Sequence, residues 1–162
     1  MWRRLLEGDR RELHLRGALI AVALAGIAVA TYLIVVRLQG HSPTCVVGGG
    51  CATVQESEYS TVVGVPVAVL GLFSYLGLLT AALLPGFLGR CLGLFVGIVA
   101  AGFSVWLTWL EIAVIEAICP WCVVSAALSL IAAGLVVARV AVTSPPGDGP
   151  QDAGASSTGL AR

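Results

Sequence analysis

The sequence contains no lysine, a single methionine and little charge: 11% of its 162 residues are charged, against about 25% in an ordinary soluble domain. That scarcity excludes a soluble globular surface. Nine basic residues, all arginine, balance nine acidic ones to a formal net charge of zero, which excludes the basic footprint of a nucleic-acid-binding protein. Disorder is excluded from the other side. Hydrophobic residues make up 58% of the chain and mean hydropathy is +0.97, whereas disordered chains are poor in apolar side chains. Arginine as the only strong base, alongside abundant Ala, Gly and Val, points to a GC-rich bacterial genome. The length permits one domain.

What the sequence does hold is apolar runs. Four segments, 17–36, 62–84, 92–110 and 119–138, carry no charged side chain. Each is close to the ~20 residues that a helix rising ~1.5 Å per residue needs to cross ~30 Å of hydrocarbon. The expected fold is therefore all-α: a polytopic membrane protein built as a four-helix bundle over 17–142, with an outer loop that carries a cysteine pair. Small residues in the runs (Gly71, Gly77, Ala100 to Gly102, Ala126 and Ala127) permit close approach of backbones. A basic segment, 1–16, precedes the bundle. The tail 143–162, rich in Pro, Gly and Ser, is expected to be disordered.

Arginine placement orients the bundle, because cytoplasmic flanks carry the excess of positive side chains. Arg3, Arg4, Arg10, Arg11 and Arg16 precede the first run, Arg90 lies between the second and third, and Arg139 follows the fourth. The loop after the first run holds only Arg37, and the 111–118 connection holds Glu111 and Glu116 but no arginine. Both termini are thus expected in the cytoplasm, with loops 37–61 and 111–118 outside. A rival reading takes Ala28-Val29-Ala30 as a signal-peptide cleavage site; the apolar run continues past it through Val36, as a retained helix does.

This topology sorts the five cysteines. Cys45 and Cys51 fall in the first outer loop, Cys119 and Cys122 at the outer start of the fourth run, and Cys91 on the inner side, where it reads as a small apolar residue. Extracytoplasmic thiols tend toward disulfides. Cys119-Pro120-Trp121-Cys122 is a C-x-x-C at a helix start, where proline is tolerated and the helix dipole stabilises a thiolate on Cys119. Cys122 lies about 4.5 Å deeper on nearly the same face, within reach of a lipid-soluble electron acceptor. Cys45 and Cys51 bracket a triple glycine, a pliable segment suited to changing partners. As a staple, a loop so short contributes only roughly 2 kcal/mol. Structural disulfides and a four-cysteine metal site are the competing readings. Thiol–disulfide exchange between two dithiols accounts best for the pattern.

An outer-loop cysteine pair, then Val63-Gly64-Val65-Pro66-Val67-Ala68-Val69-Leu70-Gly71 with Tyr75, then C-x-x-C opening the fourth helix, resembles the vitamin K epoxide reductase family, in particular its bacterial branch, over about residues 17–140. The resemblance implies an oxidoreductase that oxidises a thioredoxin-fold dithiol protein outside the cytoplasm and passes two electrons to a quinone of menaquinone or ubiquinone type, supporting disulfide formation, with no metal. Carried over by position, Cys45 accepts electrons from the partner, Cys51 relays them to Cys119, and Cys122 lies beside the quinone. Ser57, Val67 and Tyr75 are the further candidate quinone contacts. The competing readings are a turn hydroxyl for Ser57 and core packing for Tyr75. Val67 stands where the mammalian enzyme has asparagine, and Ala126 where a tyrosine follows the second cysteine; both departures count against epoxide chemistry. The family's fused thioredoxin-like domain has no counterpart here, so the expected partner is a separate extracytoplasmic thioredoxin-fold protein, and the chain itself is expected in a bacterial cytoplasmic membrane.

The remaining polar and aromatic residues have plainer readings. Trp106, Trp109 and Trp121 suit an interfacial aromatic belt, with a place beside the quinone as the alternative for one of them and a partner contact as the alternative for Trp121. Glu111 and Glu116 read as a solvated outer loop, with proton movement near the C-x-x-C as the alternative. His41 reads as solvent-facing, although a positive imidazole near Cys45 would lower a thiol pKa. Arg37 is expected to snorkel at the outer end of the first helix. Two further function classes stay open: reduction of vitamin K or its epoxide, and a membrane scaffold with structural disulfides.

Overall fold

The structure, a computed structural model, describes residues 2–45 and 50–143. Four long helices account for most of them: α1 (Trp2–Leu38), α3 (Val67–Leu83), α4 (Gly86–Ala113) and α5 (Pro120–Thr143). Between α1 and α3 lie a short helix α2 (Cys51–Glu56), a single 3-10 turn (Glu58–Ser60) and an antiparallel hairpin, β1 (Thr61–Val62) with β2 (Val65–Pro66). α1 packs on α3 and α5, and α4 packs on the same two. The bundle is thus a closed ring in the order α1, α3, α4, α5, with successive helices antiparallel. Three helices are long and apolar enough to cross a membrane, and α3 is a shorter apolar helix.

The helix bounds depart from the apolar runs in physically legible ways. α1 starts at Trp2 rather than at 17, because the basic segment is composed mainly of Arg, Leu and Glu, all good helix formers; charge ends a membrane-like run but not a helix. α3 starts at Val67 rather than 62. Val63 and Gly64 take positive φ, 52° and 79°, to make the two-residue turn of the hairpin, and Pro66 then sets the entry to the helix. The 17 residues of α3 span about 25 Å, at the short end of what a bilayer needs. α4 runs past the expected 92–110 at both ends, taking Arg90 and Cys91 into its start and Glu111 into its last turn. The tail expected to be disordered lies, apart from Thr143, outside the described residues.

Leu19, Ala23, Tyr75, Leu78, Ala82, Ala132 and Val136 form the buried core of the bundle. α4 meets its neighbours through Gly89, Gly93, Gly97 and Ala100, all buried; a Cβ on Gly93 would lie 3.3 Å from both Ala81 and Val136. Small residues at helical spacing let backbones approach, as in membrane bundles. Of the small residues singled out from sequence, Gly77 and Ala100 serve such packing, whereas Gly71 and Gly102 face open space. The outside of the bundle is apolar, with Phe73, Leu88 and Phe95 about two-thirds exposed.

The end of the bundle away from Cys119 is closed by arginines. Arg139, 2% exposed, pairs with Glu12 at 2.8 Å, and Arg16 donates to the carbonyls of Ala82 and Leu83 at 3.0 and 3.2 Å. Those carbonyls terminate α3, where cationic donors are favoured. Near mid-bundle, a Cβ on Gly26 of α1 would overlap the Tyr75 ring of α3. Gly26→Ala is therefore expected to destabilise the bundle by about 1–3 kcal/mol, the usual effect of overpacking, read as a lower melting temperature in detergent. An unchanged melting temperature would contradict this account of the α1–α3 contact.

Candidate active site

The cysteine end of the bundle is assembled by backbone geometry before any sulfur chemistry. After α4, Ile115 N–H bonds back to Leu110 O at 2.9 Å and Ala117 N–H to Glu111 O at 3.1 Å. Glu116 takes φ 53°, and the chain turns sharply into α5. Cys119 is the N-cap of α5: its carbonyl accepts the Val123 N–H at 3.0 Å. Gly50 precedes α2 and packs against the same turn, where a Cβ would lie 2.6 Å from the Ile118 carbonyl. Only glycine permits that approach.

Cys45 and Cys51 form a disulfide, while Cys91, Cys119 and Cys122 are free thiols. The Sγ of Cys119 lies 3.7 Å from the Sγ of Cys51, between residues 68 apart in sequence. Both are buried, at 0% and 1% exposure. Tyr32 and Trp121 hold the loop segment before Cys45 in place. Trp121 Nε1 donates to Thr44 O at 3.1 Å, its ring centroid lies 4.9 Å from that of Tyr32, and Thr44 N–H donates to the Tyr32 hydroxyl at 3.4 Å. Trp121 thus secures the cysteine loop internally. Arg37 does the same for the following segment, donating to Gln55 O and Ser60 Oγ, each at 3.1 Å; it is a clamp rather than a snorkelling side chain.

The Cys119 thiol is pulled below the ordinary thiol range, to about 7. The largest cause is a hydrogen bond from the Cys122 thiol. Burial opposes it, and the N–H groups of Cys122 and Trp121, part of the helix N-terminus, add to it. A thiolate is the attacking species in exchange, so the buried sulfur nearest the disulfide is also the one most readily ionised. Its attack on Cys51 would form a Cys51–Cys119 disulfide and release Cys45; the reverse displacement is equally open.

Beneath this pair, a cavity of about 120 Å³ opens among α1, α3, α4, α5 and the 54–66 segment. Cys122, Ser57, Val67 and Tyr75, the four candidate cofactor contacts, all lie on its wall; Cys45, Cys51 and Cys119 do not. Ser57 Oγ donates to Val54 O at 2.7 Å, so it serves a turn and the cavity together. Tyr75 is both core and lining: its hydroxyl donates to Ser125 O at 2.7 Å and lies 3.1 Å from Ser129 Oγ. Val67 and Ala126 make apolar wall. The mix of apolar surface with a few convergent polar groups suits a planar lipid-soluble ring bearing carbonyls.

Glu111 overturns its expectation. It is 5% exposed rather than solvated, its Oε2 accepts the Cys119 N–H at 3.1 Å, and it lines the cavity. Its register was visible in the sequence, since Gly93, Gly97, Ala100 and Glu111 share one face of α4; the charge obscured it. Glu116 and His41 are exposed, and Cys45, being in a disulfide, offers no thiol for His41 to tune. Trp106 and Trp109 stand partly exposed on α4. Cys91 is exposed. Among the described residues no group of three His, Cys, Asp or Glu is arranged to hold a metal.

The family model of the vitamin K epoxide reductase family matches residues 18–137, and the chain belongs to that family. Its members are oxidoreductases that use quinones and act with thiol partners. Together with the three long apolar helices, membership makes this chain a membrane protein.

Ultraviolet thiolate absorbance of the protein with Cys45–Cys51 oxidised is expected to titrate with a midpoint near pH 7, thiolate dominating above it and thiol below. Cys122→Ala removes the largest stabilising contact and is expected to move the midpoint up toward the ~8.5 of a free thiol. A midpoint already at the free-thiol value would contradict the geometry.

Proposed function

We propose that the chain is a membrane dithiol:quinone oxidoreductase supporting disulfide-bond formation. It oxidises a separate extracytoplasmic thioredoxin-fold protein and passes the two electrons through Cys45/Cys51 and Cys119/Cys122 to a membrane quinone. In this reading all four long helices span a bacterial cytoplasmic membrane, with both termini in the cytoplasm and the cysteine pairs outside. The observation that carries it is the 3.7 Å separation of Cys51 and Cys119 sulfurs, combined with the place of Cys122 on the cavity wall. A reduced partner attacks Cys45 and forms a mixed disulfide, freeing Cys51. Cys51 attacks an oxidised Cys119–Cys122 pair and frees Cys122, the partner's second thiol resolves the mixed disulfide and frees Cys45, and Cys45 displaces Cys119 to restore Cys45–Cys51, which leaves the two electrons on the Cys119/Cys122 dithiol next to the quinone cavity.

Reduction of a vitamin K epoxide is less well supported. Val67 and Ala126 stand where the mammalian enzyme has an asparagine and a tyrosine, and here both make apolar wall. A scaffold with structural disulfides leaves the free thiols of Cys119 and Cys122 unexplained.

The test mixes detergent-solubilised protein with a reduced thioredoxin-fold dithiol protein and a short-chain quinone, and follows quinone absorbance. Cys122→Ser is expected to retain the wild-type melting temperature within a few degrees and to lower quinone reduction to the uncatalysed level. A partner variant that lacks its second cysteine is expected to accumulate a Cys45–partner mixed disulfide on non-reducing gels, because the attack that frees Cys51 is then never resolved. Normal turnover by Cys122→Ser would sink the proposal.

A further inference from the structure

Glu111 is a buried carboxylate with two neighbours that matter chemically. Its Oε2 accepts the N–H of Cys119, and Cys122 shares the cavity wall with it. It also faces the cavity, where Arg37 is the other charged residue on the wall. The titratable and charged groups in contact with it or on the same cavity wall are Cys119 at the N-cap of α5, Cys122 from α5, Arg37 from α1, Tyr75 from α3 and Tyr59 from the segment before the hairpin. A carboxylate 5% exposed at the end of a membrane helix is costly to keep without a purpose, since intramembrane acids are rare and mark proton paths.

We propose that Glu111 is a catalytic proton carrier for oxidation of the Cys119/Cys122 dithiol, taking the Cys122 proton and handing it to an oxygen of the quinone bound in the cavity. The inference rests on the proposed function of the site. In the step, the Cys122 S–H bond breaks and its proton passes to Glu111. A disulfide forms between Cys119 and Cys122, two electrons move to the quinone, and Glu111 protonates one of its two oxygens. The second oxygen takes from solvent the proton that Cys119 gave up on ionising. Dithiol plus quinone thus becomes disulfide plus quinol, and Glu111 returns to its starting state. No other carboxylate lies on the cavity wall among the described residues.

Glu111→Gln separates this role from a structural one. The amide oxygen of glutamine still accepts the Cys119 N–H, so the turn into α5 keeps its support, but the amide carries no exchangeable acid proton. Pre-reduced protein is mixed with a short-chain quinone in a single turnover. Glu111→Gln is expected to lower the rate at least about 100-fold, the low end for loss of a general acid–base group, with the quinone concentration for half-maximal rate within about twofold of wild type. Glu111→Asp should recover part of the rate. The rate–pH profile of wild type should lose one ionisation in Glu111→Gln. Independently of turnover, in a Cys91→Ser, Cys119→Ala background with Cys45–Cys51 oxidised, where Cys122 is the one thiol and has no Cys119 sulfur to bond, its S–H stretching band should move to higher frequency in Glu111→Gln, because an amide is a weaker acceptor than a carboxylate. A purely structural Glu111 predicts that Gln is normal and Ala impaired; that pattern, or a Glu111→Gln rate within threefold of wild type, overturns the proposal while leaving the quinone reductase reading intact. A wild-type protein that reduces no quinone overturns both.

Discussion

Bringing two sulfurs from positions 68 residues apart in the chain to 3.7 Å, and burying both, is the constraint to which the cysteine end of the bundle answers. Burial removes water from a group that must ionise, so the lost solvation has to be supplied by fixed donors. The start of α5 provides them: the helix N-terminus turns its N–H groups toward the Cys119 sulfur, and the Cys122 thiol adds one more. Cys51 then has to be carried to that point. Gly50 permits it by letting α2 lie against the Ile118 carbonyl, and Trp121 and Arg37 fasten the chain on either side of the contact. A side chain at position 50 would push α2 outward, and exchange falls off steeply once sulfurs cannot reach each other.

The two ends of the bundle solve opposite problems with charge. At the far end, Arg139 is nearly inaccessible, and Glu12 matches it at 2.8 Å, the pairing that a buried guanidinium requires. Arg16 and Arg139 both reach carbonyls of the last turn of α3, so their charge also satisfies a helix terminus. At the cysteine end the buried acid is Glu111, which accepts the Cys119 N–H and shares a cavity wall with the Cys122 thiol. One end is locked by a full ion pair. The other holds a carboxylate beside groups that exchange protons, which leaves it free to change state.

Much of the bundle was legible because bilayer-like hydropathy is a strong signal: the apolar runs locate all four long helices, and the C-x-x-C falls at the helix start that Pro120 predicts. Two things were not. Hydropathy cannot place a helix end, so the runs missed the basic first turns of α1, and Val63-Gly64, apolar but turn-forming, was read into the helix that begins at Val67. Nor does charge reveal burial. Glu111 looks like loop in composition and is core by register, and Arg37, which binds two acceptors across the chain, has no local sequence signature for that clamp. Ser125 and Ser129 lie on the α5 face that meets Tyr75; a one-dimensional reading had no means of pairing them with a hydroxyl 50 residues earlier.

The shortness of α3 explains why a cavity exists where it does. α4 has 28 residues and α3 only 17, a difference of about 16 Å of helix. Since the two share the short Leu84–Pro85 connection, that difference falls wholly at the cysteine end, where α1 and α4 lose the neighbour they share. The missing turns are replaced by the 3-10 turn and the hairpin, whose Tyr59, Ser60 and Pro66 line the space instead. A loop roof does not fill volume as an interdigitated helix does, so room remains next to Cys122. The hairpin in turn exists because Gly64 and Pro66 break the helix that the apolar run would otherwise continue. Two residues that look like defects in a membrane span thus set α3 back from the reactive sulfurs, and the space they leave opens directly onto Cys122 and Glu111.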